Sequence, residues 1–347
     1  LNSRCGLTRR IEFNFSGRDS MPLPYTSKAV FHGVVLALAA ALCPLAAHAD
    51  WPERPITVVV PFGPGGANDL IARVASAGLS KRLGQTVIVE NKPGAGTIVG
   101  ATHVARAKPD GYTFLIGAAG VITNSLLRSK MPYADSDLVP VGMIAVAPSV
   151  IVVSPNSPAT NMKEFVEIAR ARGKDGMNFA TAGAGSTPHF VSEMLKDATG
   201  VQFTVVPYKS GQDGVNAVLG NSVDATSEAS IVVLPQIKAG KLKAIATTYE
   251  KRISSYPSLP TTAEQGLPSV NIGHWAGLFA PKGTPPAIIA RLNAELQAAM
   301  KSKESIERLV PSGIEPAAGS VAGFADFIAT ERERLGKIAK KAGMTAD

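Results

Sequence analysis

The chain of 347 residues is 45% apolar and 18% charged, a balance that excludes a disordered protein and suffices for two α/β domains of ordinary size. Its net charge of +8 is spread thinly, without a run of Lys and Arg interleaved with aromatics, which argues against a nucleic-acid partner. There are five His and two Cys and no H-E-x-x-H spacing, so no zinc or iron chemistry is expected.

Residues 1–20 read as an upstream extension, with Met21 the expected start of the frame. The segment 28-KAVFHGVVLALAAALCPLAAHAD-50 has a Lys, an apolar stretch from Val30 to Ala41, and the small-x-small pattern Ala47-His48-Ala49. This is the anatomy of a secretory signal peptide with cleavage after Ala49. Pro44 and the short apolar stretch argue against a membrane anchor, and Ala41-Leu42 before Cys43 make a poor lipobox. Cleavage would remove Cys5 and Cys43, leaving a mature chain without thiol or disulfide. It would also lower the net charge to +5 (30 basic against 25 acidic residues), a mild excess that favours acidic small ligands.

From Asp50 onward strand and helix alternate. Apolar, β-branched runs predict strands at 56–60, 86–90, 112–117, 150–154, 178–182, 203–207, 223–227 and 242–248. Apolar spacing of three and four predicts helices over 69–83, 97–107, 161–172, 187–198, 212–219, 231–239, 285–302 and 320–342. Such interleaving implies an α/β fold of parallel sheets with helices on both faces.

Segments 56–120 and 178–230 share one order of parts: strand, glycine turn, helix, strand, turn, helix, strand, small loop. Two similar lobes are therefore expected, the first from 50–150 and 271–347, the second from 151–270. The chain would cross near 145–155 and return through 256–270, and the last 60 residues would pack two helices back on the first lobe. Ligands of open α/β sheets bind at the carboxyl ends of the strands, where the glycine turns fall, and a hinged pair of lobes suits closure.

The turn 61-PFGPGGAND-69 follows an apolar strand and opens a helix, the local grammar of an anion site. It lacks the Lys-Ser/Thr ending of a phosphate loop, and Asn68 stands where a dinucleotide fingerprint needs its third glycine. A carboxylate fits it as well as a phosphate, unless the turn is structural and Asp69 a helix cap. The turn 182-AGAGSTPH-189 offers the same chemistry, with Ser186, Thr187 and His189 beside it. Ser186 and His189 read better as a capping serine and a cleft histidine than as a hydrolytic pair, since no G-x-S-x-G elbow is present. His103, inside a predicted helix, reads as a scaffold residue. Apart from Lys92 and Lys209, the turns are without cations, and Phe62 and Tyr208 are placed to flank a carbon skeleton. Binding through main-chain donors is the better reading than catalysis.

The stretch 51-WPERPITVVVPFGPGGANDLIARVASAGLSKRLGQTVIVENKPGAGTIVGATHVARAKPDGYTFLIG-117, with 207-PYKSGQDGVNAVLGNSVDA-225 and 275-WAGLFAPKGTPPAIIARLN-293, strongly resembles the tripartite tricarboxylate transporter receptors, the Bug (TctC-like) extracytoplasmic solute-binding proteins. The resemblance spans the whole mature chain. It implies a type 2 periplasmic binding-protein fold, two doubly wound lobes around a ligand cleft. It also implies capture of a small organic carboxylate (a di- or tricarboxylate, amino acid or aromatic acid) for the membrane permease subunits of a tripartite transporter. A periplasmic monomer without cofactor or catalysis is expected.

Carried over by position, the first-lobe ligand residues are Phe62, Gly65, Gly66 and Asp69, then Ala119, Thr123 and Asn124. The second-lobe residues are Gly183, Ser186, Thr187, His189, Tyr208 and Asp224. A periplasmic sensing partner of a two-component system is the alternative, and an exported hydrolase using Ser186 and His189 a weaker one.

Overall fold

The computed structural model describes Glu12 and residues 51–174 and 176–346. The signal-peptide segment, Met21, both cysteines and the cleavage position at Ala49 lie outside the described residues.

In chain order the strands and helices are β1 (Ile56–Val60), α1 (Ala67–Leu83), β2 (Val87–Asn91), α2 (Ile98–Ala105), β3 (Thr113–Gly117), α3 (Gly120–Leu127) and β4 (Leu138–Val153). There follow α4 (Met162–Ala171), β5 (Met177–Thr181), α5 (Thr187–Thr199), β6 (Phe203–Pro207), α6 (Gly211–Leu219), β7 (Ala225–Ala229), α7 (Ser230–Lys238) and β8 (Lys243–Thr247). The chain closes with β9 (Gly273–Pro281), α8 (Pro286–Met300), α9 (Lys303–Leu309), β10 (Glu315–Pro316) and α10 (Val321–Lys341).

Two βαβαβ units are built as the pattern anticipates. β1 lies between β2 and β3, all parallel, and β5 lies between β6 and β7, all parallel. β1 is buried at four of its five positions, as a strand covered on both faces must be. In α1 the buried Ile71, Ala75 and Leu79 recur every four residues, which keeps one stripe on the sheet.

The expectation of purely parallel sheets is corrected at the centre. β4 runs through both lobes: its first part pairs antiparallel with β9, and its last five residues pair antiparallel with β7. β9 in turn lies antiparallel to β3, and β8 edges β4 in the second lobe. The two crossings between lobes are themselves apolar segments, LVPVGMIAVAPSVIVV and GHWAGLFAP, and buried strands of this kind satisfy their backbone groups by pairing with each other. Sequence reading predicted no strand at β9, placing the return at 256–270, and shortened β4 to 150–154. Because β4 pairs antiparallel with both β7 and β9, the carboxyl ends of β3 and of β7 point toward each other across the crossing.

The carboxyl-terminal part also differs. Three helices, not two, follow β9, and α10 serves both lobes. Phe324 packs beside Trp275 and Phe279 of the first lobe, while Leu335 and Ala339 join the second-lobe core with Phe190 and Phe179. No described helix is long and apolar enough to cross a membrane.

Candidate functional site

The rim of the first lobe is shaped by Asp69, in the first turn of α1. Its carboxylate is almost wholly buried and accepts hydrogen bonds from Gly65 N–H (3.0 Å), from Arg73 Nε and a second guanidinium nitrogen (2.9 and 3.0 Å) and from Asn91 Nδ2 (2.9 Å). Asn91 also donates to the Phe62 carbonyl (3.1 Å). Burial by itself would raise the pKa of Asp69. The donors from Arg73, Gly65 and Asn91 outweigh it and hold the pKa down at about 2. Gly65 turns through φ 86°, a conformation other residues adopt only with strain. The carboxylate is thus spent on holding the turn, and Gly63 to Gly66 stay exposed.

The segment after β2 is wound more tightly, with Ala95, Gly96 and Thr97 at φ 46°, 62° and 84°. Asn124 Nδ2 holds it, donating to the Gly96 carbonyl (2.8 Å) and to Thr97 Oγ1 (3.2 Å). The residues from Ala119 to Asn124, expected to form a loop, are the cap and first turns of α3. Val121, Ile122 and Leu127 supply the apolar stripe that makes this a helix, and Thr123 is buried with it.

In the second lobe, Gly183 to Thr187 lead into α5. Ser186 does not cap α5. Its Oγ donates to the Gly183 carbonyl (2.7 Å), while Gly185 N–H donates to His189 Nδ1 (3.3 Å). Ser186 and His189 therefore each hold the turn and are not bonded to one another, which removes the nucleophile–base pair a hydrolase needs. Burial lowers the His189 pKa against the opposing pull of Glu193, with Lys196 adding to the lowering. Tyr208 is half-buried at the edge of the core that holds Ala180, Val215 and Val218, at the start of the turn into α6.

One turn of the second lobe touches α3. A methyl group on Gly185 would stand 2.6 Å from Leu127 Cδ1 and 3.6 Å from Thr123 Oγ1, so the second-lobe turn rests directly on α3. Asp224 is a correction. It stands before β7 and bonds to Arg172 (2.5 Å) and to the N–H of Asn178 (2.8 Å), at the amino ends of β5 and β7. Ligand-bearing turns leave the opposite ends, so Asp224 is a structural acid.

The acid at the carboxyl end of β7 is Glu228, which motif reading missed. It is buried, its Oε1 accepts the Ala229 N–H (2.8 Å) and lies 3.5 Å from His274 Nε2. Its signal was a lone charge in a strand otherwise buried at every position.

The helix starts divide. α1, α2, α3 and α5 leave strand ends at the rim without a side-chain cap, as α8 does elsewhere, and at α7 the Ala229 N–H donates to Glu228. Helices α4, α9 and α10 are capped by Asn161, Ser302 and Ser320. α6 is the exception at the rim, capped by Ser210. Uncapped first turns leave N–H groups free for an anion.

The model for "tripartite tricarboxylate transporter family receptor" matches residues 71–344. Among solved structures, the periplasmic binding protein BugD is 35% identical, with TM-score 0.74 over 86% of this chain and 100% of that one. Rpa4515 of R. palustris with adipate is 34% identical, with TM-score 0.77 over 85% and 99%. MatC (Rpa3494) from Rhodopseudomonas palustris with bound malate is 31% identical, with TM-score 0.72 over 83% and 99%.

Proposed function

The chain belongs to the tripartite tricarboxylate transporter family of receptors, solute-binding proteins and not enzymes, and from that premise we propose that it captures a small organic carboxylate in the periplasm and presents it to membrane permease subunits. One observation carries this reading. At the rim, α1, α3 and α5 begin without side-chain caps, and the Asp69 carboxylate is taken up by Gly65, Arg73 and Asn91. Free amide donors facing a gap between lobes suit an anion and offer no group to transform it.

The adipate and malate bound by two similar proteins support the same class of ligand. In this reading residues 50–150 with 271–347 and residues 151–270 are the two bodies that close, with Phe62, Gly65, Gly66, Ala119, Thr123 and Asn124 on one side. Gly183, Ser186, Thr187, His189 and Tyr208 stand on the other.

A thermal-shift screen over mono-, di-, tri- and aromatic carboxylates tests the proposal. A true ligand raises Tm with the logarithm of its concentration above Kd, and a screen in which no carboxylate does so ends this reading. Loss of uptake of that acid in a deletion strain supports the permease partnership, whereas intact uptake with a lost transcriptional response assigns a sensing role.

A further inference from the structure

Glu228 is a buried carboxylate, and among the described residues no Lys or Arg pairs with it. Of its two oxygens, Oε1 takes the Ala229 N–H, while Oε2 is packed against Gly211, the first residue of α6, so closely that a side chain there would collide with it. His274 lies beside it, its Nε2 3.5 Å from Oε1. Burial pushes the His274 imidazole below its usual pKa against the pull of Glu228, so it is neutral at neutral pH and does not cancel the charge. Its Nε2 is buried and has no hydrogen-bond partner. Lys209, the one cation of the second-lobe turns, is exposed, and among the described residues no ion pair links it to Glu228.

Buried charges are ordinarily paired, because an unpaired one forfeits its hydration without compensation. This one sits where the carboxyl end of β7 meets the start of α6 and the first residues of β9. It also fills the place a second anion would need. The Ala229 N–H that opens α7 is taken by Glu228, and the start of α6 is taken by Ser210, with Asp213 in its first turn. The two rims therefore differ in one respect: both carry an uncapped helix start, at α1 and α3 and at α5, but only the second adds a spare carboxylate and a spare imidazole nitrogen, at β7 and β9.

We propose that Glu228, with His274 beside it, recognises a cationic donor at the far end of the ligand, so that the substrate class is a carboxylate bearing an ammonium group and not a dicarboxylate. This rests on the reading of the chain as a carboxylate receptor. One end of the ligand, its carboxylate, lies on the amides of the first lobe. The ammonium lies against Glu228 and supplies the missing counter-charge, and a second carboxylate at that point meets like charge.

The test is calorimetric titration of the full mature protein with succinate, glutarate and adipate, each against the amino acid of the same length in which an ammonium replaces one carboxylate. The amino acid of at least one pair is expected to bind about tenfold or more tightly than its dicarboxylate. In E228Q that preference is expected to vanish or invert, with unliganded Tm measured as the folding control. Gly211→Ala, which displaces the Glu228 carboxylate without removing it, should weaken the amino acid in the same sense. Tighter binding of dicarboxylates by the parent protein overturns the proposal while leaving the carboxylate-receptor reading intact, and so does a preference that E228Q leaves unchanged. Failure of every acid, in both series and in the wider carboxylate screen, overturns both.

Discussion

Asp69 and Arg73, one turn apart in α1, are joined by two hydrogen bonds of 2.9 and 3.0 Å between guanidinium and carboxylate, and the same carboxylate fastens the Gly65 turn. The bidentate pair is half in solvent on the arginine side, whose side chain is 49% exposed, so its value lies less in ion pairing than in the buried end that holds the turn. Asp69→Asn keeps the shape and removes the charge. It is expected to cost about 1–2 kcal/mol by denaturant titration and to weaken the ligand more than tenfold by calorimetry, because the amide donors of the turn lose their orientation.

The same residue sets an acid limit. The folded pKa of Asp69 lies near 2, below the ordinary value of about 4 for an unfolded chain. Its contribution is therefore complete above about pH 4 and is lost as pH falls toward 2. The parent protein should lose Tm over that window more steeply than Asp69→Asn, as measured by circular dichroism melts across the series.

A second pH effect has the opposite chemistry and the same direction. His189 and His274 both have pKa values lowered by burial, partly opposed by Glu193 and Glu228 respectively. An unfolded His takes up a proton near pH 6.5 while these two resist it, so stability is full above that value and falls as pH drops below it. Replacing His189 by Gln should flatten the Tm profile between about pH 7 and 5. An unchanged slope would show that His189 does not contribute to it.

Asn124 bridges α3 to the strained turn after β2. Asn124→Ala leaves the Gly96 carbonyl without this donor and is expected to cost about 1–2 kcal/mol, with a larger proportional loss of ligand affinity. Asn124→Asp, which keeps the size but loses the donor, should behave like alanine.

Gly185 rests on Thr123 and Leu127, so the turn of one lobe and the helix of the other touch with no room for a methyl group. Gly185→Ala is expected to hold the lobes apart. Affinity should fall at least tenfold while Tm drops only by the few degrees that about 1 kcal/mol of backbone strain implies. Small-angle scattering with and without ligand would show the lost compaction.

Much of this molecule could be read from local pattern. The run ITVVV became a strand because apolar β-branched residues covered on both faces have few alternatives, and VIVEN and FTVVP, at the sheet edges, because the same residue types favour the pleated backbone. The glycine turns at Gly65 and Gly183 were legible because a positive φ is written in residue type. Asp224 was misplaced and Glu228 overlooked for one reason. They are four residues apart at opposite ends of β7, and only the register of that strand against β4 and β5 tells which end faces the gap.

The sequence by itself determined the α/β order, the paired strand–turn–helix units and the family, because these depend on side-chain character repeated along the chain. Tertiary structure alone decided that β4 and β9 pair across the centre, that α10 belongs to both lobes, and that Asp69 is spent on its own turn while Glu228 is left without a counter-charge. Whether a carboxylate is used up or available depends on which donors lie within about 3 Å of it, and those donors, Arg73 and Asn91 for one acid and none but Ala229 for the other, are brought there by folding.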